Sequence, residues 1–194
     1  KAVAESDVPG AVVVVVKDRR IVFARRYGFA NVEQRVPDEP ERTLFYLASV
    51  TKPFTAMAVM QLVEQGRLDL RADVNNYLRT FQLEPRFPQP ITLTHLLTHT
   101  AGLDDKNIGY VARTAGEAMP LGDYLRQNLP PRVRPPGEVT AYSNHGYGLA
   151  GYIVEVVSGT PYAQYVEENI LRPLGMLRST AHIPLPAELQ PDLA

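Results

Sequence analysis

Ser49 stands three residues before Lys52 in Ser49-Val50-Thr51-Lys52, where an apolar periodic stretch begins. On a helix that spacing puts both side chains on one face, within mutual reach. The pair suits nucleophilic chemistry. A hydroxyl attacks a carbonyl only once its proton is taken. A lysine can help by staying partly neutral itself, or by using its charge to shift another base. Lys52 can do either. The plainer reading makes Ser49 a helix N-cap and Lys52 a solvated first-turn residue, and an S-x-x-K alone does not decide between the two. Leu44-Phe45-Tyr46-Leu47-Ala48 leads apolar chain into Ser49, which predicts a serine at a buried strand or loop end.

A second group is Tyr142-Ser143-Asn144, which follows Pro135-Pro136-Gly137-Glu138 and precedes a helical pattern. Prolines stiffen such a loop, and rigid loops are good places for catalytic groups. A tyrosine beside a cationic lysine loses its proton more easily and can act as a general base, and an asparagine amide can bind a substrate carbonyl. The alternative is a turn asparagine with a packed tyrosine. His95 and His99 lie four apart and could share a helical face as metal ligands. No Glu follows His95 to complete H-E-x-x-H and no third ligand is evident, so both read as structural and no metal is expected. His145, next to Asn144, reads as a loop hydrogen-bonding residue. The chain has no cysteine, which excludes disulfides and thiolate catalysis and leaves a hydroxyl, amine or carboxylate as any nucleophile.

These residues need elements to hold them. Val12–Val16 and Ile21–Ala24 are β-prone runs around the polar Lys17-Asp18-Arg19-Arg20, a hairpin signal. The first run is apolar without alternation, as in a strand covered on both faces. A lone hairpin is marginal, so more strands are required, and none is legible downstream. Phe54, Met57, Ala58, Met60, Leu62 and Val63 recur at helical spacing from Ser49 to Gln65, with Gly66 placed as a C-terminal cap. Pro53 falls in the first turn, where it breaks no hydrogen bond. Further helices are predicted over Thr92–Leu97, Gly122–Asn128, Tyr147–Val157 and Tyr162–Leu171. The prolines at 184, 186 and 191 argue against regular structure at the tail.

The 194 residues, 45% hydrophobic, can bury a real core and are read as a single domain over 1–194. Twenty basic and twenty-one acidic residues are interspersed, so no basic field exists to hold a nucleic acid or an anionic bilayer. The longest purely apolar run, Ala11–Val16, is far below the roughly 20 residues of a spanning helix.

Taken together, Ser49-x-x-Lys52 and Tyr142-x-Asn144 resemble the first two active-site motifs of class C β-lactamases, D-alanyl-D-alanine peptidases and related esterases. The resemblance extends, in order, through Ser49–Thr55, Leu62–Leu68, Ile91–Leu103 and Pro173–Met176. It implies an α+β fold of the β-lactamase/transpeptidase type, an antiparallel sheet flanked by helices beside a helical lobe. It also implies a serine hydrolase with no cofactor, acting through an acyl-enzyme on a β-lactam, a D-amino-acid peptide or a small ester. By the same resemblance Ser49 is the nucleophile, Lys52 tunes Tyr142, Tyr142 is the general base and Asn144 binds the substrate amide. Whether Lys52 or Tyr142 takes the proton first stays open. A periplasmic or secreted location is implied, with a cytoplasmic one left open.

The family's third motif, a Lys- or His-x-Gly on a strand beside the nucleophile, does not follow Tyr142, since His145-Gly146 is not of that form. The expectation is a domain truncated at its C-terminus, lacking the last strands of the sheet and inactive alone. The Val12–Val16 strand should then pair with a second copy or with the missing C-terminal segment. The competing reading is a non-catalytic penicillin-recognising sensor or peptide-binding module of the same fold. A helical interaction domain with accidental motifs is weaker, because the family segments occur in order.

Overall fold

The computed structural model describes residues 8–106 and 115–194. Contacts divide the described chain into two units. The first comprises the described part of Lys1–Ala48 with Leu177–Ser179 and Pro184–Ala194, and the second that of Ser49–Met176 with Thr180–Ile183.

In the first unit, β-branched residues form strand β1 (Gly10–Lys17), which pairs antiparallel with β2 (Arg20–Asn31). The two-residue turn between them is Asp18-Arg19, both at positive φ (51° and 62°), the geometry that matches strand twist in a tight hairpin. β2 runs seven residues further than its apolar part predicts, through Arg25 and Arg26 to Asn31, because backbone pairing with β1 as far as Gly28, and with a third strand at Phe29 and Asn31, carries the polar residues along. A short β3 (Val36–Pro37) adds to the far edge of β2, giving the order β1-β2-β3. The expectation of a strand covered on both faces is not met among the described residues. Val13, Val14, Val15 and Val16 are 42–63% exposed, Ile21 is 66% and Val22 59% exposed. β1 has a paired neighbour on one edge only among the described residues. The tail is irregular as expected apart from a 3-10 turn over Gln190–Asp192. It is fastened by Leu193 bridging to Leu44 and by Asp192, which binds Arg42 at 2.7 Å and also Arg178.

The second unit is helical. Its long elements are α1 (Lys52–Glu64), α2 (Leu93–Leu97), α3 (Leu121–Asn128), α4 (Asn144–Ser158) and α5 (Tyr162–Val166), the last continued by a π-helical turn over Glu167–Leu171. α4 is the central helix, packing on α1, α2, α3 and α5. Leu149, Ala150, Ile153 and Val154 of α4 meet Ala58, Val59 and Leu62 of α1 and Leu93 and Leu96 of α2 in one core, all fully buried. At roughly 1.5–3 kcal/mol for each large apolar side chain taken from water, this cluster is the main source of the unit's stability. α4 ends at Gly159, whose left-handed backbone (φ 74°) stops the helix.

Two boundaries differ from expectation in ways that matter for the site. The first helix does not begin at Ser49. Residues Ala48–Thr51 form a 3-10 turn, and the α-helix proper starts at Lys52 with Pro53 in its first turn. α4 begins at Asn144, three residues before Tyr147, because the Ser143 hydroxyl caps it by accepting the Gly146 N–H at 3.1 Å.

Candidate active site

The 3-10 turn brings Ser49 and Lys52 onto one side of the chain, so that Lys52 Nζ donates to Ser49 Oγ at 3.2 Å. The predicted burial of Ser49 is wrong: the serine is exposed. Most of its apolar lead-in is exposed too, with Tyr46 at 79%; only Leu44, bridged by Leu193, is half-buried. Ala48, next to Ser49 in sequence, has φ 46°, a left-handed conformation that costs a non-glycine residue about 1–2 kcal/mol. The chain therefore turns abruptly at Ser49 rather than continuing as a strand.

The loop carrying Tyr142-Ser143-Asn144 is held along the segment His99–Asp105 by a ladder of bonds. Gly137 N–H donates to Thr100 O at 2.8 Å and Ala141 N–H to His99 O at 2.8 Å. Ser143 N–H donates to His99 Nδ1 at 3.1 Å and Asn144 N–H to Asp105 Oδ1 at 3.2 Å. Further back, Val133 N–H reaches Gly102 O at 2.8 Å. Gly102 is required there. At φ 69° it runs so close to the loop that a Cβ would lie 2.1 Å from the Arg134 carbonyl oxygen.

Held in this way, the Tyr142 hydroxyl lies 2.6 Å from Ser49 Oγ. Lys52 Nζ also donates to Asn144 Oδ1 at 2.8 Å and sits 4.6 Å from the centre of the Tyr142 ring and 5.6 Å from that of Tyr147. Ser49, Lys52, Tyr142 and Asn144, far apart in the chain, thus form one hydrogen-bonded cluster. A lysine only donates, so the Asn144 amide oxygen must face it and the NH₂ is left to donate elsewhere. Hydrogen bonding to Lys52, then to Ser49, holds the Tyr142 phenol below its usual pKa, while desolvation and the Asp105 carboxylate work the other way. A tyrosine so placed can take a proton from the serine oxygen it touches.

His95 and His99 do not share a helical face. His95 Nδ1 accepts the Thr92 N–H at 3.2 Å and the Thr92 hydroxyl faces His95 N–H, a capping box at the start of α2. His99 lies beyond the helix at φ 58°. Among the described residues no group of three or more His, Asp or Glu is placed to hold a metal. His145 is buried on α4, with Nε2 3.2 Å from the Tyr124 hydroxyl of α3 and Nδ1 3.5 Å from Asp105. Sequence reasoning read His99 as structural and did not single out Asp105 or Tyr147. Their partners lie 39 to 95 residues away, and the one available signal was the segment His95–Gly102 itself.

Among the described residues no helix is long and apolar enough to cross a membrane. The family description Beta-lactamase matches residues 1–192. Esterase EstB of Burkholderia gladioli is 37% identical over 190 residues, 91% of this chain and 48% of that protein. The putative penicillin-binding protein PbpX of Bacillus subtilis (strain 168) is 35% identical over 165 residues, 84% of this chain and 39% of that one. The octameric penicillin-binding protein homologue from Pyrococcus abyssi superposes with a TM-score of 0.82 at 35% identity, over 99% of this chain and 44% of its own. The chain spans less than half the length of each of these proteins. With the β-lactamase/transpeptidase fold matched along almost all its residues, this chain belongs to the beta-lactamase family.

Proposed function

We propose that this chain carries the nucleophile and base of a serine hydrolase that works through an acyl-enzyme. The observation that supports this most is the 2.6 Å contact between the Ser49 and Tyr142 hydroxyls, with the Lys52 ammonium 3.2 Å from the same serine oxygen. Tyr142, as phenolate, takes the Ser49 proton as Oγ bonds to the substrate carbonyl carbon, and the carbonyl electron pair moves to oxygen. When the tetrahedral adduct collapses, the C–N or C–O bond breaks and the leaving group takes the proton from Tyr142. Water then attacks the acyl-serine ester and gives a proton to Tyr142; as the second tetrahedral adduct collapses the C–Oγ bond breaks, Tyr142 returns that proton to Ser49 Oγ, and the acid leaves. Between these proton transfers the Lys52 charge favours the phenolate form of Tyr142, and the free Asn144 NH₂ binds the amide carbonyl of the substrate.

Substrates are proposed at the level of class: an activated amide or ester, whether β-lactam, D-amino-acid peptide or small ester. The chain's less-than-half coverage of its relatives leaves the whole protein's activity in the same position, as a proposal. The test is to treat the intact protein with a fluorophosphonate and with a fluorescent penicillin and to measure intact mass. One adduct, absent in Ser49→Ala, is expected with the fluorophosphonate. Undiminished labelling of that variant would remove Ser49 from the mechanism. Acylation by penicillin without release would instead favour the sensor reading.

A further inference from the structure

His99 follows the C-cap Thr98 of α2 with φ 58°, and its N–H donates to Leu96 O at 3.3 Å while the Thr100 N–H donates to His95 O at 2.8 Å, the Schellman arrangement that sets a left-handed residue at a helix end. That backbone fixes where the His99 carbonyl and ring point. From there the carbonyl accepts the Ala141 N–H at 2.8 Å and the ring Nδ1 accepts the Ser143 N–H at 3.1 Å. The same ring stacks on Tyr142 (centroids 4.5 Å apart, planes 27° apart) and lies 5.0 Å from the Tyr147 ring. One residue therefore grips the backbone on both sides of Tyr142 and the face of its ring.

We propose that His99 is the positioning residue for Tyr142, and that the Ser49–Tyr142 contact forms only while His99 Nδ1 is unprotonated. This rests on the reading of Ser49 as nucleophile. The chemistry is simple: an Nδ1 carrying a proton has no lone pair, so the Ser143 N–H would face another N–H and the loop would lose its inner bond. The surroundings of His99 favour the neutral ring: burial, then the Lys52 ammonium on α1, lowers its pKa, and the Asp105 carboxylate on its own segment and the hydrogen bond with the Ser143 backbone oppose them without reversing the shift. Tyr142 from the loop and Tyr147 from α4 complete its surroundings. Below that lowered pKa the ring charges, the loop loosens and the base moves off Ser49.

The test uses the intact protein and two variants. His99→Phe keeps an aromatic ring but offers no acceptor. His99→Asn keeps an acceptor on a residue that tolerates positive φ, and it does not titrate. The rate of fluorophosphonate labelling at Ser49 is followed from about pH 8 to about pH 5, the range in which histidine changes charge. In the wild type, imidazole nitrogen NMR reports which His99 nitrogen carries the proton. Labelling of His99→Phe is expected to be roughly 10²-fold slower, the scale of a misplaced catalytic group. His99→Asn should recover most of the rate, and the ratio of wild-type to Asn-variant rates should fall as the pH falls. NMR should show Nδ1 bare at neutral pH.

A His99→Phe rate equal to wild type, a pH-independent ratio, or an Nδ1-protonated neutral ring would each overturn the proposal. If His99→Phe fails to fold, the Asn variant and the NMR still decide it. A wild type that takes no label at all would overturn the Ser49 reading, and the tautomer would then decide the His99 contact by itself.

Discussion

The sheet of the first unit and the helical core of the second are both built from apolar runs, yet they end in opposite states. In the helical unit Leu62, Leu96, Leu149 and Ile153 are completely shielded by one another. In the sheet, four consecutive valines of β1 keep roughly half their surface, and Ile21 on β2 keeps two thirds. The helical segments supply partners for their own faces, since α4 is wrapped by four other helices. Among the described residues the hairpin has one neighbour strand, the two-residue β3. An apolar run thus tells that a surface wants covering, and the rest of the described chain tells whether the cover is present. All four candidate site residues belong to the unit that covers itself.

The largest effect that could break this contrast is a truncation in each region. Leu149→Ala is expected to lower stability by about 2–5 kcal/mol, the range for a leucine removed from a closed core. Val15→Ala, at a residue 46% exposed, is expected to cost only about 0.5 kcal/mol. Urea titrations of the two variants against wild type measure this. Equal losses would mean that the β1 valines are buried in solution. That outcome would point to pairing of the strand with another copy or another segment.

A smaller effect sharpens the contrast within the helical unit. Thr92→Ala removes the hydroxyl that caps α2 and should cost about 1 kcal/mol in the same titration. An unchanged midpoint would show that the α2 start is held by packing of Leu93 and Leu96 alone.

The smallest effect is a shift along the pH axis. The Asp105 carboxylate pushes the Tyr142 pKa up against the dominant lowering by Lys52. Replacing Asp105 by Asn keeps an acceptor for the Asn144 N–H and removes the charge. Tyr142 should then lose its proton more easily, so the rise of Ser49 labelling with pH should move to lower pH. Movement to higher pH would show that Tyr142 does not act as the phenolate.

Much of this arrangement was legible in the sequence, for reasons that can be named. The three-residue spacing of Ser49 and Lys52 survives a 3-10 turn as well as an α-helix, so their contact did not depend on the helix boundary. The stiff loop before Tyr142 was marked by its prolines, the first helix by its apolar spacing, and the short helices at Thr92–Leu97 and Gly122–Asn128 by the Pro and Gly that bound them. The burial of Ser49 was misread because an apolar lead-in carries no information about what lies over it. The α4 start was misplaced by three residues because the Ser143 cap was hidden inside the motif. The positive φ of His99 was not read from the sequence, although it falls at the predicted end of the Thr92–Leu97 helix, because no glycine stands there to mark it. Its role came from neighbours more than forty residues away.

The central claim is that Tyr142 and Lys52 act on Ser49 as one proton-transfer unit, and a double-mutant cycle tests it directly. Ser49 labelling rates of Tyr142→Phe, Lys52→Met and the pair are compared with wild type. Residues that act as a unit are strongly non-additive, so the double variant should lose about as much as either single one. Losses that multiply independently would contradict the account.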